Sequence, residues 1–302
     1  YAVNGSGNQR YRLFGLMIDL HCHSTASDGS FSASELIAEA ERIHLKALAL
    51  TDHDTTNGLA EFIRAGRESP VEAIPGIELA ACDADNPNLN IHVVGLFVSH
   101  DAPQLQRLID DVISWRTQRN LAMIEKLSAM GLPVTLAKVR AVAGNAVIGR
   151  PHIAQVLIEA GHARDTQNAF DRFLASGKPG YVWRRLPTPA QAIMAIHSAG
   201  GIAVWAHPYT RGHYTNLQMR RIAVMLKDMG LDGMEAYYPM HTVCQVRASL
   251  DMCKAVGLAP SGGSDFHGAR LRNIALGTGN GKLCVPDELL DGLRMRLHER
   301  AC

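Results

Sequence analysis

The sequence lacks the marks of several protein classes. No apolar run is long enough to span a bilayer. No continuous apolar stretch near the start reads as a secretory signal. The expectation is therefore a soluble chain with no membrane partner. The 6 cysteines (Cys22, Cys82, Cys244, Cys253, Cys284 and Cys302) form no CxxC pair. That argues against a disulfide framework and for reduced thiols in the cytoplasm. Charge of one sign is not in excess: 30 Lys+Arg against 29 Asp+Glu leave a net charge of +1. Without a global basic field, duplex nucleic acid is not an expected partner, and any nucleotide contact must be local. Disorder is excluded as well, because 47% hydrophobic and 20% charged residues are ordinary for a globular chain. Aromatics are few, at 7 Tyr, 7 Phe and 3 Trp, whereas histidine is abundant at 14.

Residues 1–16 are polar, rich in Gly and Asn and without periodicity, and read as an N-terminal tail. Beyond them, seven short apolar runs (17–23, 45–50, 71–79, 91–98, 201–207, 232–238 and 257–265) read as strands. Helical patterns separate many of them. The one over 32–44 opens on Ser32 with Glu35 three residues later, a capping-box signature. Alternation of this kind predicts an α/β fold with a parallel sheet covered by helices. Seven strands in so short a span suggest a closed or nearly closed barrel. Residues 100–185 break the rhythm with helical patterns alone, at 104–131, 135–143, 151–160 and 166–175. The expected organisation is a barrel from 17–99 and 186–302, interrupted by a helical insertion at 100–185.

Polar residues gather where the strands end. The first run closes in His21-Cys22-His23, with Asp28 beyond it. Residues i and i+2 of a strand share a face, so His21 and His23 can grip one ion. His53 follows the second run, Glu78 ends the third, and His92 starts the fourth. His207 closes the fifth, and Asp265 and His267 follow the last. The mouth of an α/β barrel is where such ends converge, although His92 does not fit that rule, and an offset of its strand is the expected reason. Imidazole with carboxylate suits Mn, Zn or Fe. Nine donors exceed the needs of one ion and would serve two or three, with Glu78 and Asp265 as bridging candidates. Paired ions are a common device for hydrolytic displacement at phosphorus or carbonyl carbon. A lone histidine carries no such weight; His44, His162, His197 and His298 read as helix residues without partners, and His100 as a loop residue.

These motifs, IDLHCHSTASDG (18–29), ALTDHDT (49–55), PGIEL (75–79), the His92 strand, AHPY (206–209) and GGSDFHG (262–268), resemble the PHP (polymerase and histidinol phosphatase) family in order and spacing. The resemblance implies a distorted (β/α)7 barrel with an inserted small helical domain. It also implies a trinuclear centre of Mn2+, with Zn or Fe as alternatives, on all nine positions, and hydrolysis of phosphate esters by a metal-bridging hydroxide. Among family members the likeness is to compact ones with a helical insertion. This implies removal of the 3′-phosphate from nucleoside 3′,5′-bisphosphates. The alternatives are 5′→3′ exonuclease action on short RNA oligonucleotides and, outside this chemistry, C–N hydrolysis of the amidohydrolase type.

A phosphate ester also needs cationic donors for its free oxygens. Arg150, at the start of a helical pattern, and His152 beside it are candidates, as are Lys178, Arg184 and Arg185 at the exit of the insertion. His241 is a candidate to protonate the leaving oxygen or to hold a phosphate oxygen. Tyr238, with Tyr209, Tyr237 and Phe266, is a candidate to stack on a base. Asp19 and Asp52 are candidates to orient neighbouring imidazoles or, equally, to make plain structural hydrogen bonds.

Overall fold

A computed structural model describes residues 17–83, 89–144, 148–210, 214–270 and 273–301. The N-terminal tail read from residues 1–16 lies outside the described residues. The apolar runs form the strands β1 (Ile18–Cys22), β2 (Ala47–Leu50), β3 (Glu72–Cys82), β4 (Asn90–Leu96), β5 (Ile202–Ala206), β6 (Gly233–Tyr237) and β7 (Ala259–Gly262). The helices are α1 (Ala33–Arg42), α2 (Leu59–Arg67), α3 (Pro103–Ala129), α4 (Leu136–Ala143), α5 (Arg150–Glu159), α6 (Thr166–Ala169), α7 (Pro189–Ser198), α8 (Asn216–Asp228), α9 (Val243–Val256) and α10 (Glu288–Ala301). Capping boxes start α1 at Ser32, α7 at Thr188, α8 at Thr215 and α9 at Thr242. Each satisfies otherwise orphaned N–H groups, a gain of about 1 kcal/mol.

All seven strands make one sheet in the order β1 to β7. The expectation of a wholly parallel sheet fails at one strand, because β4 runs antiparallel to both β3 and β5. The reason is local. Only residues 83–89 separate β3 from β4, too few for the crossover that parallel neighbours require. Among the described residues no strand ladder joins β7 to β1, only an isolated bridge between Cys22 and Phe266. Residues just after β7 close the ring instead: Asp265 N–H donates to His21 O at 2.8 Å and His23 N–H to Phe266 O at 2.9 Å. That approach leaves no room for a side chain at Gly263, where a Cβ would stand 2.4 Å from the Cβ of His21. The sheet is thus a nearly closed, distorted barrel.

Alternate strand residues sort into two apolar clusters. Ile18, Ala47, Ile74, Val94, Ile202 and Ala259, each from a different strand, meet in one cluster that Leu290 and Leu293 of α10 complete. Leu48, Ile77, Val93, Ala203 and Met234 face the other way and pack against α1, α2, α7, α8 and α9. An extra residue in β1, between Asp19 and Cys22, reverses this alternation. Ile18 and Leu20 therefore join the interior cluster, whereas Cys22 packs outside with Leu48 and Leu50.

The described chain divides into two compact units. One runs up to Ile109 and resumes at Pro187; the other is Asp110–Leu186. The second unit is helical, with α4, α5, α6 and a short π-helical turn at Phe170–Leu174. Its own core includes Met123, Leu127, Val139, Ile153, Leu157 and Phe173.

Candidate metal centre

The nine strand-end side chains converge in the barrel unit. Four overlapping groups place their donor atoms within 4.8 Å of one another: His23, Asp28, His53 and His267; His21, His23 and Asp265; His21, Glu78 and His207; and His53, Glu78 and His92. Glu78 stands at the middle. Its Oε1 lies 2.6 Å from His92 Nδ1 and 2.9 Å from His207 Nε2. Its Oε2 lies 2.8 Å from His53 Nδ1, 3.4 Å from His23 Nε2 and 3.5 Å from His21 Nε2. Asp265 Oδ1 lies 3.1 Å from His23 Nε2 and 3.5 Å from His21 Nε2. Asp28 Oδ1 is 3.2 Å from His267 Nε2. His21, His23 and Glu78 are fully buried, while the Asp28 side chain is 44% exposed and forms the rim. The antiparallel course of β4 explains His92: the strand begins at the mouth instead of ending there.

The electrostatics follow from packing carboxylates among imidazoles. Burial would raise the carboxyl of Glu78, but His53, His92 and His21 hold it well below the usual range. Burial likewise opposes ionisation of Asp265, and His21 and His23 outweigh it. Burial disfavours the charged form of His53, yet Glu78 and Asp28 push it up to about 9. His23 is drawn down, by burial and by its neighbour His53. The pocket therefore favours positive charge at its centre.

Whether these residues fit divalent ions is tested by their unmet valences. His21 Nε2, His23 Nδ1 and Nε2, and Glu78 Oε2 are buried without a hydrogen-bond partner. They approach other donors closely but without hydrogen-bond alignment, an arrangement that ordinary buried polar groups avoid. Imidazole and carboxylate lone pairs crowded in this way fit Mn, Fe or Zn. The donor set fits.

Sequence reasoning missed the residue that orients His21. Glu235, buried in β6, lies with Oε1 2.8 Å from His21 Nδ1, and its Oε2 accepts from the backbone N–H of His207 at 2.5 Å. The available signal was an acidic residue inside the apolar run DGMEAYY. Asp19 and Asp52 do not orient imidazoles; of the two roles open to them, each takes the structural hydrogen bond. Asp19 accepts from the backbone N–H groups of Ser264 and Gly277, both at 2.8 Å, and ties the ring closure together. Asp52 accepts from Ser24 N–H at 2.8 Å and from the hydroxyls of Ser24 and Ser27, which fixes the turn leading to Asp28. Two members of the set sit at positive φ, His207 at 31° and Asp265 at 53°. Such backbone costs persist where the surroundings over-determine the geometry, as at functional sites.

Of the aromatic candidates, Phe266 is buried edge-on against Phe31 and cannot stack on a base. Tyr238 donates from its hydroxyl to Asp265 Oδ2 at 2.9 Å. His241 lies between Tyr238 and Tyr209, at ring separations of 5.2 and 5.0 Å. Its Nδ1 is 3.0 Å from Ala236 O and must carry the proton, since a carbonyl only accepts. Burial lowers its pKa, so the ring is neutral near pH 7 with a lone pair on Nε2. Nε2 is buried and unpartnered. This opposes the expected role of His241 as proton donor.

The remaining candidates belong to the helical unit. Arg150 opens α5, contacts Leu174 O at 3.4 Å and lies over the Phe170 ring. His152 Nδ1 accepts from Gly149 N–H at 3.0 Å. Lys178 is exposed and Arg184 half-buried. Arg185 lies over the Trp115 ring. Arg119, which sequence reasoning did not single out, is lowered to about 10 by burial and by Arg150, Arg184 and Arg116.

Barrel and donor set together define the centre of a metal-dependent hydrolase. The PHP domain profile matches residues 19–143. A 5′-3′ exoribonuclease of Haemophilus influenzae is 37% identical over 252 residues, covering 82% of this chain and 89% of the relative. A 3′,5′-nucleoside bisphosphate phosphatase of Chromobacterium violaceum is 32% identical over 253 residues, covering 83% and 87%. A solved structure from Chromobacterium violaceum, described as an amidohydrolase with bound sulfate and no metal, superposes with a TM-score of 0.73 at 30% identity, covering 92% of this chain and 96% of its own. The chain belongs to the PHP family.

Proposed function

We propose that the chain is a phosphomonoesterase that removes the 3′-phosphate from nucleoside 3′,5′-bisphosphates, such as adenosine 3′,5′-bisphosphate, in the cytoplasm. It would use two or three divalent ions, Mn2+ first among them with Zn or Fe as alternatives. The observation that carries the reading is the meeting of nine imidazole and carboxylate donors in one pocket. The bisphosphatase relative supplies the substrate class. When bound, the ions supply charge neutralisation for the phosphoryl oxygens and a water activated near neutral pH.

The protein's own groups have separate tasks in this reading. His21, His23, Asp28, His53, Glu78, His92, His207, Asp265 and His267 hold the ions. Arg150, His152, Lys178 and Arg184 of the helical unit stay candidates for contact with phosphate oxygens, the guanidinium groups by paired donors. His241, neutral at Nε2, accepts a hydrogen bond from a substrate O–H or N–H. Tyr238 is engaged with Asp265 through its hydroxyl.

The Haemophilus relative favours a second reading, 5′→3′ exonuclease action on short RNA. The two readings share one bond. Both break the phosphoester at the 3′-oxygen of a terminal nucleotide and differ in whether the phosphorus carries another nucleoside. Mn2+-loaded protein incubated with adenosine 3′,5′-bisphosphate, AMP, a 5′-phosphorylated oligoribonucleotide and an N-acyl amino acid separates them. Preferential phosphate release from the bisphosphate is expected. Stepwise mononucleotide release with the bisphosphate inert overturns the first reading in favour of the second. Turnover of the amide alone overturns both.

A further inference from the structure

Donors come from β1, β2, β3, β4, β5 and β7 or the residues just after them, whereas β6 supplies none. What β6 brings to the same pocket is Glu235 and, immediately after the strand, Tyr238. On a regular strand, residues three apart face opposite ways. Here an extra residue in the β6–β7 ladder, between Glu235 and Tyr237, shifts the phase. Both side chains thereby reach the donor set. Glu235 holds His21 through Nδ1, leaving Nε2 toward the centre. Tyr238 donates to Oδ2 of Asp265, so only Oδ1 faces His23, His21 and His267, at 3.1, 3.5 and 3.6 Å. Asp265 itself lies at a positive backbone φ of 53°.

The geometry points to Tyr238 as a positioning residue that makes Asp265 present a single oxygen to the ions, with Glu235 doing the same for the ring of His21. In this arrangement β6 sets metal affinity without supplying a ligand. The inference rests on the metal-centre reading above and assigns Tyr238 to the ions instead of to a base.

The test is a titration of Mn2+ into metal-free wild type, Tyr238→Phe and Glu235→Gln, with free Mn2+ followed by electron paramagnetic resonance. The melting temperature of the metal-free proteins and the KM for adenosine 3′,5′-bisphosphate at saturating Mn2+ are measured alongside. Both variants are expected to bind Mn2+ about tenfold to a hundredfold more weakly, with melting temperature and KM unchanged. Wild-type affinity in Tyr238→Phe overturns the inference. So does a raised KM with affinity intact, which returns Tyr238 to the substrate, or a lowered melting temperature with affinity intact, which marks a structural role. Failure of the wild type itself to bind Mn2+ removes the centre and this inference with it.

Discussion

His92 Nδ1 lies 2.6 Å from Glu78 Oε1, and the two residues come from neighbouring strands that run in opposite directions. The reversal of β4 brings the start of that strand to the mouth where the other strands end. Glu78 then joins two donor groups, one with His21 and His207 and one with His53 and His92. A carboxylate shared in this way would serve the ions of both groups when they are bound.

Glu78→Gln should therefore harm the centre more than loss of a single terminal donor. The amide keeps the volume but loses the charge that offsets two cations. Activity should fall by at least about a hundredfold, with one ion fewer retained per chain. Steady-state assay and elemental analysis of the same preparation check this. Full metal content with wild-type turnover would remove Glu78 from its bridging place.

Much of this site was legible in the sequence. Strand-end motifs such as His21-Cys22-His23 and Asp265-Phe266-His267 state both a residue type and a spacing, and spacing survives folding. The direction of β4 was legible in principle, because residues 83–89 leave no room for a crossover helix. Side chains that act on a neighbour's lone pair were not. Glu235 and Asp52 are both acidic residues near histidines in the chain, yet one orients an imidazole and the other ties down a serine turn. That difference is set by the partner each carboxylate meets across the barrel, His21 for Glu235 and Ser24 for Asp52, which no local pattern encodes. His197, read as unpartnered, has its partner 35 residues away at Asp232.

Gly263→Ala tests the closure of the barrel. The added methyl would meet the Cβ of His21 at 2.4 Å and its backbone N at 2.5 Å. Neither is the movable end of a side chain, so β7 must shift away from β1. A loss of about 1–3 kcal/mol is expected from such overpacking, together with weaker metal binding. Chemical denaturation and Mn2+ titration of the variant measure the two effects. Wild-type values in both would show that the closure has slack.

Removing the ions should both silence and soften the protein. Treatment with a chelator is expected to abolish phosphate release, and Mn2+ should restore it better than Mg2+, since imidazole donors suit the transition metals. At a free concentration one hundred times Kd, bound Mn2+ stabilises the fold by about 2.7 kcal/mol per site. Scanning calorimetry with and without Mn2+ reads this directly. Full activity after exhaustive chelation would contradict the centre.

His241 makes a prediction in pH. Its folded pKa is below the ordinary imidazole value, so the ring is neutral from about pH 6.5 upward. Were it the proton donor, turnover would decline as pH rises through that lowered value. As an acceptor it should instead give no such decline between about pH 6.5 and 8. Profiles of kcat for wild type and His241→Gln distinguish the cases. A descending limb in the wild type that vanishes in the variant would restore the acid role.

Asp232 shows how the far end of the same strands is held without chemistry. Its Oδ2 accepts from Ala203 N–H and stands 2.8 Å from His197 Nε2, while Arg300 reaches Oδ1 at 3.2 Å. Arg300 also lies 2.5 Å from His197 Nδ1, so that nitrogen accepts and Nε2 carries the proton donated to Asp232. The network lies at the start of β5 and β6, whereas His207 follows the end of β5. Asp232→Ala leaves the buried Ala203 N–H and His197 Nε2–H without their acceptor, and should cost about 1–3 kcal/mol. Arg300→Ala removes a partly exposed charge and should cost under about 1 kcal/mol. Denaturation midpoints check the order, and turnover per folded molecule should match wild type in both variants. A loss of turnover in folded Asp232→Ala would mean that strain at this end travels along β5 to His207.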